Sequence, residues 1–319
     1  MPATHDVITD QQIEQFDRDG AVNLTGPLNP AQLSALAALF DRLMPAPPMD
    51  QRKPYERQVL ANDFLQPAVV RLIADPFFER VAQRVLRTDR VVFHSIFLNQ
   101  AYATPQHAFD HWQHVDIKYR LDDLDGTPRR MLCSFMVWLT DVTLDRAPFM
   151  YRPGSHRVIA RRMQDDPQYT DNPVRLEDLG DLPLADVQPL LVRAGDVTVN
   201  TSALVHGASV NTGKHDRKVI FLHYHPADYE VRANMNINEM RNAYRRKLRE
   251  QLPADRRHLV VEASASAGFL PLNSRCEDEA HGVFEVHVHR FDLVATDDHG
   301  KAADLVAHRQ VHRHAIVVV

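Results

Sequence analysis

The chain has 319 residues, of which 44% are hydrophobic and 25% are charged, proportions typical of an ordinary soluble globular protein. A formal net charge of −5 gives no electrostatic basis for binding nucleic acid. No stretch approaches the ~20 apolar residues of a membrane helix, and the N-terminus lacks the apolar segment of a secretion signal. The two cysteines, Cys133 and Cys276, cannot form a disulfide framework, so we expect a cytoplasmic protein without a membrane partner.

The N-terminal part, residues 1–89, is predicted to be mostly helical. Capping signals, proline positions and the spacing of apolar residues predict helices at 9–20, 29–43 and 69–86. Pro76 is expected to break the third helix. Residues 21–24 are predicted to form a short strand, and residues 45–54 a proline-rich loop that is a candidate lid.

Residues 90–226 have the pattern of strands and are predicted to form the core. Runs rich in branched and aromatic residues predict strands at 91–98, 131–139, 197–200 and 219–224. Residues 161–189 are polar and weakly patterned, which indicates an insertion or a lid within this core. We therefore expect a mainly β core with flanking α-helices.

The rest of the chain differs in character from the core. Residues 227–260 are predicted to be a helical segment, with an amphipathic basic helix at 236–252. Residues 261–319 form an extension, and two alternating stretches within it predict a long β-hairpin. An edge strand of this kind is suited to pairing, so a homodimer through the hairpin is one expectation. We interpret all four parts as one domain.

The chain contains a single His-x-Asp sequence, His114-Val115-Asp116. Residues two apart on a strand point to the same face, so His114 and Asp116 can reach one ion. His206 follows a predicted strand and is a suitable third ligand from a facing strand. Two imidazoles and one carboxylate form the facial triad that binds Fe(II) and leaves coordination positions open. We predict no catalytic side chain beyond this metal centre.

Four other histidines are possible rivals of the proposed ligands. His107 and His111 have no carboxylate two residues later, and we expect them at the entrance of the site or on the surface. His223 and His225 share one face of a predicted strand. We expect them in the core or in a pocket wall, with a contact to a metal ligand as the alternative.

Arg217 follows His206 by eleven residues, beyond a predicted hairpin turn at 211–216. The turn brings the next strand back antiparallel and places Arg217 in the same barrel as the metal. A guanidinium donates two parallel hydrogen bonds to a carboxylate, which is what the carboxylate of 2-oxoglutarate far from the iron requires. The alternative is that Arg217 is a surface arginine. Lys218 should face the opposite side of the strand.

Four motifs occur in an order that resembles the phytanoyl-CoA dioxygenase family of Fe(II)/2-oxoglutarate-dependent oxygenases. They are the helix containing Ile13, Phe16, Asp19 and Gly20 with its strand, His114-Val115-Asp116, Pro153-Gly154-Ser155-His156, and Ala194-Gly195-Asp196 followed by His206-Gly207, Asn211 and Arg217. The resemblance covers residues 8–226. The ordered set, with this spacing from histidine to arginine, is much more specific than the His-x-Asp alone.

The resemblance implies a double-stranded β-helix, a cupin-like jelly roll that carries its metal ligands inside its mouth. It also implies Fe(II), 2-oxoglutarate and O2 as the cofactor and cosubstrates. The implied site residues are the iron ligands His114, Asp116 and His206, the 2-oxoglutarate anchor Arg217, and the further cosubstrate contacts Trp138 and Asn99. The Gly154-Ser155-His156 segment is expected to be a structural turn near the mouth.

The chain departs from the family pattern after the second histidine. Some members have a hydroxyl residue two positions after it, where this chain has Ala208. Candidates to replace that hydroxyl are Thr201, Ser202 and Ser209. The turn at 145–147 also lacks a glycine often found there. Asp116 excludes a halogenase of this type, because halogenases replace the carboxylate with a small residue and so make room for halide.

The implied reaction is the oxidation, most simply the hydroxylation, of a C–H bond, with release of succinate and CO2. The favoured substrate is a small molecule such as a specialised metabolite. Trp112 and His111 are candidate substrate contacts, whereas Phe109 and Tyr119 either line a pocket or pack in the core. The sequence does not choose between hydroxylation and desaturation, cyclisation or epimerisation.

Two other interpretations stay open on the sequence alone. One is a cupin-like iron dioxygenase that does not use 2-oxoglutarate, which would leave Arg217 without a role. The other is a jelly-roll metal-binding or assembly protein without catalysis, with the C-terminal hairpin as its working part. Histidines that could bind zinc or nickel there are His287, His289, His312 and His314. A solvated polar face is the favoured explanation of those histidines.

Overall fold

Two antiparallel β-sheets form the framework of the chain. The computed structural model describes residues 7–61, 65–165, 174–176, 180–229, 231 and 239–261. The strands are β1 (Ala21–Thr25), β2 (Arg57–Ala61), β3 (Val91–Ala101), β4 (His114–Val115), β5 (Cys133–Trp138), β6 (Phe149–Tyr151), β7 (Val174–Arg175), β8 (Gln188–Leu190), β9 (Asp196–Thr201), β10 (His206–Gly207) and β11 (Arg217–Pro226). The helices are α1 (Asp10–Asp19), α2 (Pro30–Leu43), α3 (Pro67–Ala74), α4 (Pro76–Leu86), α5 (Leu121–Asp125), α6 (Ser155–Asp165) and α7 (Glu239–Gln251). Short 3-10 turns lie at Met49–Gln51 and Ala254–Leu259.

The order of the strands is that of a jelly roll. The larger sheet has the order β1-β9-β5-β11-β3-β2, and the smaller sheet has the order β7-β4-β10-β6-β8. Strands that are distant in sequence therefore lie side by side, as in a double-stranded β-helix. The predicted fold class, a mainly β jelly roll with flanking helices, is confirmed.

The two faces of the larger sheet are used differently. Its outer face packs against the helices, as when Phe135 on β5 meets Phe78 on α4 edge to face at 5.3 Å between ring centroids. Its inner face carries Trp138 and Val219, which belong to a second apolar cluster together with Phe149 of the smaller sheet. The interior between the sheets is consequently lined by both, and this is where a site can be built.

The predicted helix signals at the N-terminus are confirmed. The side chains of Thr9 and Asn29 each accept a hydrogen bond from the third residue of the helix that follows, which completes two capping boxes. Gly20 ends α1 with a φ of 81°, a left-handed conformation that suits glycine. The helical run at 69–86 is divided between α3 and α4 at Pro76, as expected.

The structure corrects the sequence analysis at two places. The N-terminal part is not only helical, because β1 and β2 both join the larger sheet and β2 was not predicted. The turn expected at Pro153–His156 ends at Gly154, and α6 begins at Ser155. The buried residues Ile159 and Met163 give α6 a helical spacing that the interpretation as an unpatterned insertion overlooked.

Several predictions concern residues outside those that the structure describes. They include the C-terminal hairpin and its histidines, Cys276, and the parts of the 161–189 segment at 166–173 and 177–179. The predicted helix at 236–252 corresponds to α7. Within the described part of the chain, no helix has both the length and the apolar character needed to cross a membrane.

Candidate metal centre

Neighbouring strands β4 and β10 bring together the three predicted ligands. His206 on β10 pairs directly with His114 on β4, and Asp116 lies two residues after His114. All three residues are buried, and their candidate ligand atoms lie within 4.8 Å of one another. In the residues that the structure describes, this is the one group of histidine, cysteine and acidic side chains close enough to hold a metal ion.

The distances within this triad suit a first-row metal ion. Nε2 of His114 lies 2.9 Å from Oδ1 of Asp116, and Nε2 of His206 lies 3.5 Å from Oδ2 of Asp116. Neighbouring ligand atoms, each about 2.1 Å from such an ion, are separated by about 3 Å when they subtend a right angle. The mixture of imidazole and carboxylate donors, without a thiolate, fits Fe(II).

The protonation of His206 is set by its surroundings. Nδ1 of His206 lies 2.8 Å from the carbonyl oxygen of Leu204, so this nitrogen donates a hydrogen bond and Nε2 keeps its lone pair for a metal. Burial lowers the pKa of His206 to about 4 despite the nearby Asp116 carboxylate. His206 is therefore a neutral ligand at pH 7.

Asp116 is ionised in spite of its burial. Burial favours the neutral acid, but His206, then His114 and lastly His223 outweigh burial, so the pKa of Asp116 lies below its ordinary value. The contribution of His223 places this residue close to the metal centre, where its ring also approaches the Ser95 hydroxyl at 3.2 Å. His223 is thus a buried residue close to Asp116, and its assignment to the core or to a pocket wall stays a prediction.

Aromatic rings and one glycine fix the ligand geometry. The indole of Trp112 stacks on His114 at 4.5 Å, and Phe149 stacks on His206 at 5.0 Å between ring centroids. A Cβ atom on Gly207 would lie 1.8 Å from the carbonyl oxygen of Trp112. Only glycine allows β10 to approach the Trp112 backbone so closely, and this approach keeps His206 in register with His114.

Arg217, the predicted anchor, points into the barrel. It is buried, and it donates hydrogen bonds to Oδ1 of Asn99 at 2.8 Å and to the carbonyl oxygen of Ala147 at 3.1 Å. Its Nε is buried and has no hydrogen-bond partner among the described residues. Burial, and less strongly the guanidinium of Arg57, lowers the pKa of Arg217 to about 9, so it stays charged at pH 7. This unused donor fits a carboxylate ligand.

Asn99 and Trp138, the further predicted cosubstrate contacts, both touch Arg217. Asn99 orients the guanidinium through its side-chain oxygen, and the Trp138 ring lies 5.8 Å from the guanidinium carbon. The indole N–H of Trp138 donates to Oγ1 of Thr198 at 2.8 Å. In this arrangement Trp138 offers its ring face to Arg217, while its N–H holds Thr198 in place.

The three hydroxyls considered as replacements at Ala208 have other partners. Ser209 donates to the carbonyl oxygen of Pro148 at 2.9 Å, and the hydroxyl of Ser202 lies 3.2 Å from that of Ser134. Oγ1 of Thr201 accepts the backbone N–H of Ala203 at 3.3 Å. Within the described residues, none of the three forms a hydrogen bond with Arg217.

The remaining candidates divide between the entrance and the core. His111 bridges to Ser209 in the segment that leads into β4, and Phe109 in the same segment is 47% exposed. Tyr119 is fully buried and its hydroxyl accepts the backbone N–H of Leu132, so it packs in the core. His111 and Trp112 lie just before β4, and their role as substrate contacts stays a prediction.

Arg57 is a residue near this site that the sequence analysis missed. It lies on β2 and its charge contributes to the pKa of Arg217. The sequence offers little signal for this strand, because Arg57 and Gln58 are polar, Val59 to Ala61 are apolar, and the five residues do not alternate. The strand was hidden because its five residues have no long apolar run.

Comparison with known proteins identifies the family. The profile described as Phytanoyl-CoA dioxygenase (PhyH) matches residues 16–219. Two curated relatives are an ectoine dioxygenase of Bordetella bronchiseptica, 23% identical over 69% of this chain and 76% of the relative, and an ectoine dioxygenase of Nocardia farcinica, 26% identical over 69% and 79%.

Solved structures share the fold at low sequence identity. The epimerase SnoN, crystallised with Fe3+, alpha ketoglutarate and nogalamycin RO, covers 83% of this chain and 93% of its own at 18% identity, with a TM-score of 0.54. HygX from Streptomyces hygroscopicus, with nickel and 2-oxoglutarate bound, covers 70% and 90% at 19% identity, with a TM-score of 0.50. The chain belongs to the phytanoyl-CoA dioxygenase family, and it is an Fe(II)- and 2-oxoglutarate-dependent oxygenase of a small-molecule substrate.

Proposed function

We propose that His114, Asp116 and His206 hold the Fe(II), that Arg217 binds the far carboxylate of 2-oxoglutarate, and that the enzyme hydroxylates a C–H bond of its substrate. The observation that carries this proposal is the direct pairing of His206 with His114, which closes the triad around Asp116. The unused Nε of Arg217 supports the second part.

The residues of the chain bind and orient, and the cofactor supplies the oxidation. When bound, iron and 2-oxoglutarate provide the oxidising chemistry, in which O2 is consumed and succinate and CO2 are released. His114, Asp116 and His206 would hold the Fe(II), and a set of only three protein ligands would leave coordination positions available to 2-oxoglutarate and O2. Trp112 and Phe149 pack on the imidazoles and exclude water from them.

Family membership sets aside the two alternatives that the sequence left open. A cupin-like iron dioxygenase without 2-oxoglutarate would give Arg217 no role, and a binding or assembly protein would need no open metal face. We keep two further predictions as parts of this proposal. The first is a cytoplasmic location, which the buried free thiol of Cys133 supports. The second is a homodimer formed through the C-terminal hairpin.

The site assignment is tested by anaerobic binding. Fe(II) and 2-oxoglutarate added to the purified protein should produce the weak visible charge-transfer band of the chelate. His114→Ala and His206→Ala should lose stoichiometric Fe(II), whereas His215→Ala, at an exposed histidine, should retain it. Retention of Fe(II) by both ligand variants would contradict the triad.

The anchor is tested by the same band. Arg217→Gln removes the positive charge and should weaken 2-oxoglutarate binding by at least about tenfold, because a charged hydrogen bond is worth about 1.5–3 kcal/mol. Fe(II) stoichiometry should be unchanged, since Arg217 is not a ligand. An unaltered affinity for 2-oxoglutarate would show that another residue is the anchor.

A further inference from the structure

Arg57 and Arg217 lie on the same face of the larger sheet. Both residues pair with Ala101 of β3, Arg57 from the strand on one side and Arg217 from the strand on the other. Directly paired residues of antiparallel strands point to the same face. Since Arg217 faces the interior of the barrel, Arg57 faces it too. Two guanidiniums therefore flank Ala101 inside the barrel.

No carboxylate of the described chain neutralises either arginine. The one hydrogen bond that Arg57 makes among the described residues runs from its Nε to the backbone carbonyl of Tyr55, at 3.3 Å. The partners of Arg217 are likewise neutral oxygens, those of Asn99 and Ala147. Burial lowers the pKa of Arg57 to about 10, which leaves it charged at pH 7. Arg217 is buried and Arg57 is half-buried, and a charge withdrawn from water without a counter-ion is costly, so the pair indicates ligands of negative charge.

The sum of the charges in the proposed site distinguishes the role of Arg57 from that of Arg217. The charges of Fe(II), Asp116, 2-oxoglutarate and Arg217 cancel when all four are assembled. Among the described residues, Arg57 then remains on the inner face of the larger sheet without a carboxylate to balance its charge. An anion other than 2-oxoglutarate would therefore be needed to balance the charge of Arg57. The substrate is the one component of the reaction whose charge is not included in this sum.

Arg57 lies close in sequence to a contact between β2 and the segment that leads into β4. Tyr55, two residues before Arg57, forms a side-chain hydrogen bond with Asp110. Asp110 belongs to the segment that carries His111 and Trp112 into β4. The edge strand β2 is thus connected at its start to the segment beside the proposed metal ligands, and it pairs with the same strand, β3, as the strand that carries Arg217.

We infer that Arg57 binds a carboxylate of the small-molecule substrate and so selects acids over their neutral analogues. This inference rests on the proposed site, in which Arg217 holds 2-oxoglutarate. It predicts that a substrate lies with its carboxylate against β2 and its reacting C–H bond towards His114 and His206. A carboxylate shared between Arg57 and Arg217, as part of 2-oxoglutarate, is the competing outcome.

The test uses the full-length protein loaded with Ni(II), which does not react with O2, and with saturating 2-oxoglutarate. The probes are simple carboxylic acids, each paired with its neutral amide: benzoate with benzamide, cyclohexanecarboxylate with its amide, and N-acetylproline with its amide. Thermal melting reports binding, because a ligand of the folded state raises the Tm. At least one acid should raise the Tm more than its amide does, and Arg57→Gln should abolish that difference.

Two controls make the result specific. Arg71→Gln removes the same charge from an exposed helix position and should leave the preference for acids intact. Arg57→Lys keeps the charge but loses the planar pair of donors, so it should bind the acid about threefold to tenfold more weakly than wild type. If the glutamine variant does not fold, the lysine variant decides, and an unchanged affinity for the acid would contradict a direct contact.

The affinity for 2-oxoglutarate distinguishes the competing outcome. Arg57→Gln should bind 2-oxoglutarate within about twofold of wild type, while Arg217→Gln loses at least about tenfold. A loss in Arg57→Gln as large as that in Arg217→Gln would overturn the inference and assign Arg57 to the cosubstrate. Equal binding of every acid and its amide by the wild type would overturn it as well. Failure of the wild type to bind 2-oxoglutarate at all would instead refute the proposed site.

Discussion

The larger sheet of this barrel carries the main hydrophobic core on one face and the proposed cosubstrate anchor on the other, whereas the smaller sheet carries the proposed metal ligands. The larger sheet has long strands, such as the 11 residues of β3, and its outer face packs in the main hydrophobic core. The smaller sheet has strands of two or three residues, and two of these, β4 and β10, position the residues proposed as metal ligands. Extensive pairing makes the first sheet a scaffold. In the smaller sheet, the strands are short and are held by specific contacts, and their ends are available for side chains that bind a metal.

The largest effect expected within the smaller sheet comes from Gly207→Ala. The added methyl group would collide with the Trp112 carbonyl oxygen and separate β10 from β4, so stoichiometric Fe(II) binding should be lost. Metal content after anaerobic loading measures this. Gly180→Ala is the control, because its Cβ meets nothing within 4 Å although the residue has a φ of 71°. Full metal loading of Gly207→Ala would mean that the close approach is dispensable.

In the larger sheet, truncation should affect stability rather than metal binding. Phe135→Ala removes a fully buried ring that contacts Phe78 and Tyr224, and it should lower the free energy of unfolding by about 3–5 kcal/mol. Urea unfolding of the apoprotein measures the loss, while the folded fraction should still bind Fe(II). Phe109→Ala, at a ring that is 47% exposed, should change stability by less than about 0.5 kcal/mol. Loss of Fe(II) binding by folded Phe135→Ala would contradict the expectation that this face of the larger sheet serves stability and not metal binding.

A buried histidine of the larger sheet should make stability depend on pH. Burial lowers the pKa of His225 from 6.5 to about 4. Between these values the unfolded chain binds a proton that the folded chain does not, so the free energy of unfolding should fall as the pH falls. The expected slope is about 1.4 kcal/mol per pH unit for this residue. His225→Gln should remove that share of the slope between pH 6.5 and 4.5. Identical slopes would indicate that His225 is protonated in the folded state.

The smallest of the four effects concerns the proposed cosubstrate anchor, whose residues Asn99 and Arg217 lie on neighbouring strands of the larger sheet. Asn99→Ala removes the acceptor that orients Arg217, and 2-oxoglutarate affinity should fall about fivefold to tenfold while Fe(II) affinity is kept. Anaerobic titration of the chelate band measures both. Asn23→Ala on β1 removes an amide of the same size that hydrogen-bonds Asp196 and Thr198, and it should leave 2-oxoglutarate affinity unchanged. A parallel loss of Fe(II) in Asn99→Ala would mean that the two subsites are not independent.

A feature could be predicted from the sequence when the residues that determine it lie close together in the chain. The spacing of His114 and Asp116 is local and sets their common face on one strand, so this half of the triad is visible in the sequence. His206 and Arg217 became visible through their mutual spacing and the resemblance to a family. The N-terminal caps were equally local, and they were confirmed.

The features that escaped prediction depend on contacts between distant segments. Arg57 lies beside Arg217 only because β2 and β11 both pair with β3. The need for glycine at position 207 comes from the Trp112 backbone, which belongs to another strand segment. The strands of the smaller sheet are too short to show a period. In contrast, α6 did have a helical period, which the Pro153-Gly154 turn signal led us to overlook.

Two adjacent residues at the start of β11 make hydrogen bonds on opposite faces of the strand. Arg217 points into the barrel towards Asn99, while Lys218 points outward and donates a hydrogen bond to Asp41 on α2. A shift of the strand by one residue would exchange the two side chains and expel the anchor from the site. We therefore expect little tolerance for a change in the length of the turn between His206 and Arg217. Insertions or deletions of a single residue there should be selected against, even though the turn is at the surface, where length changes are usually tolerated.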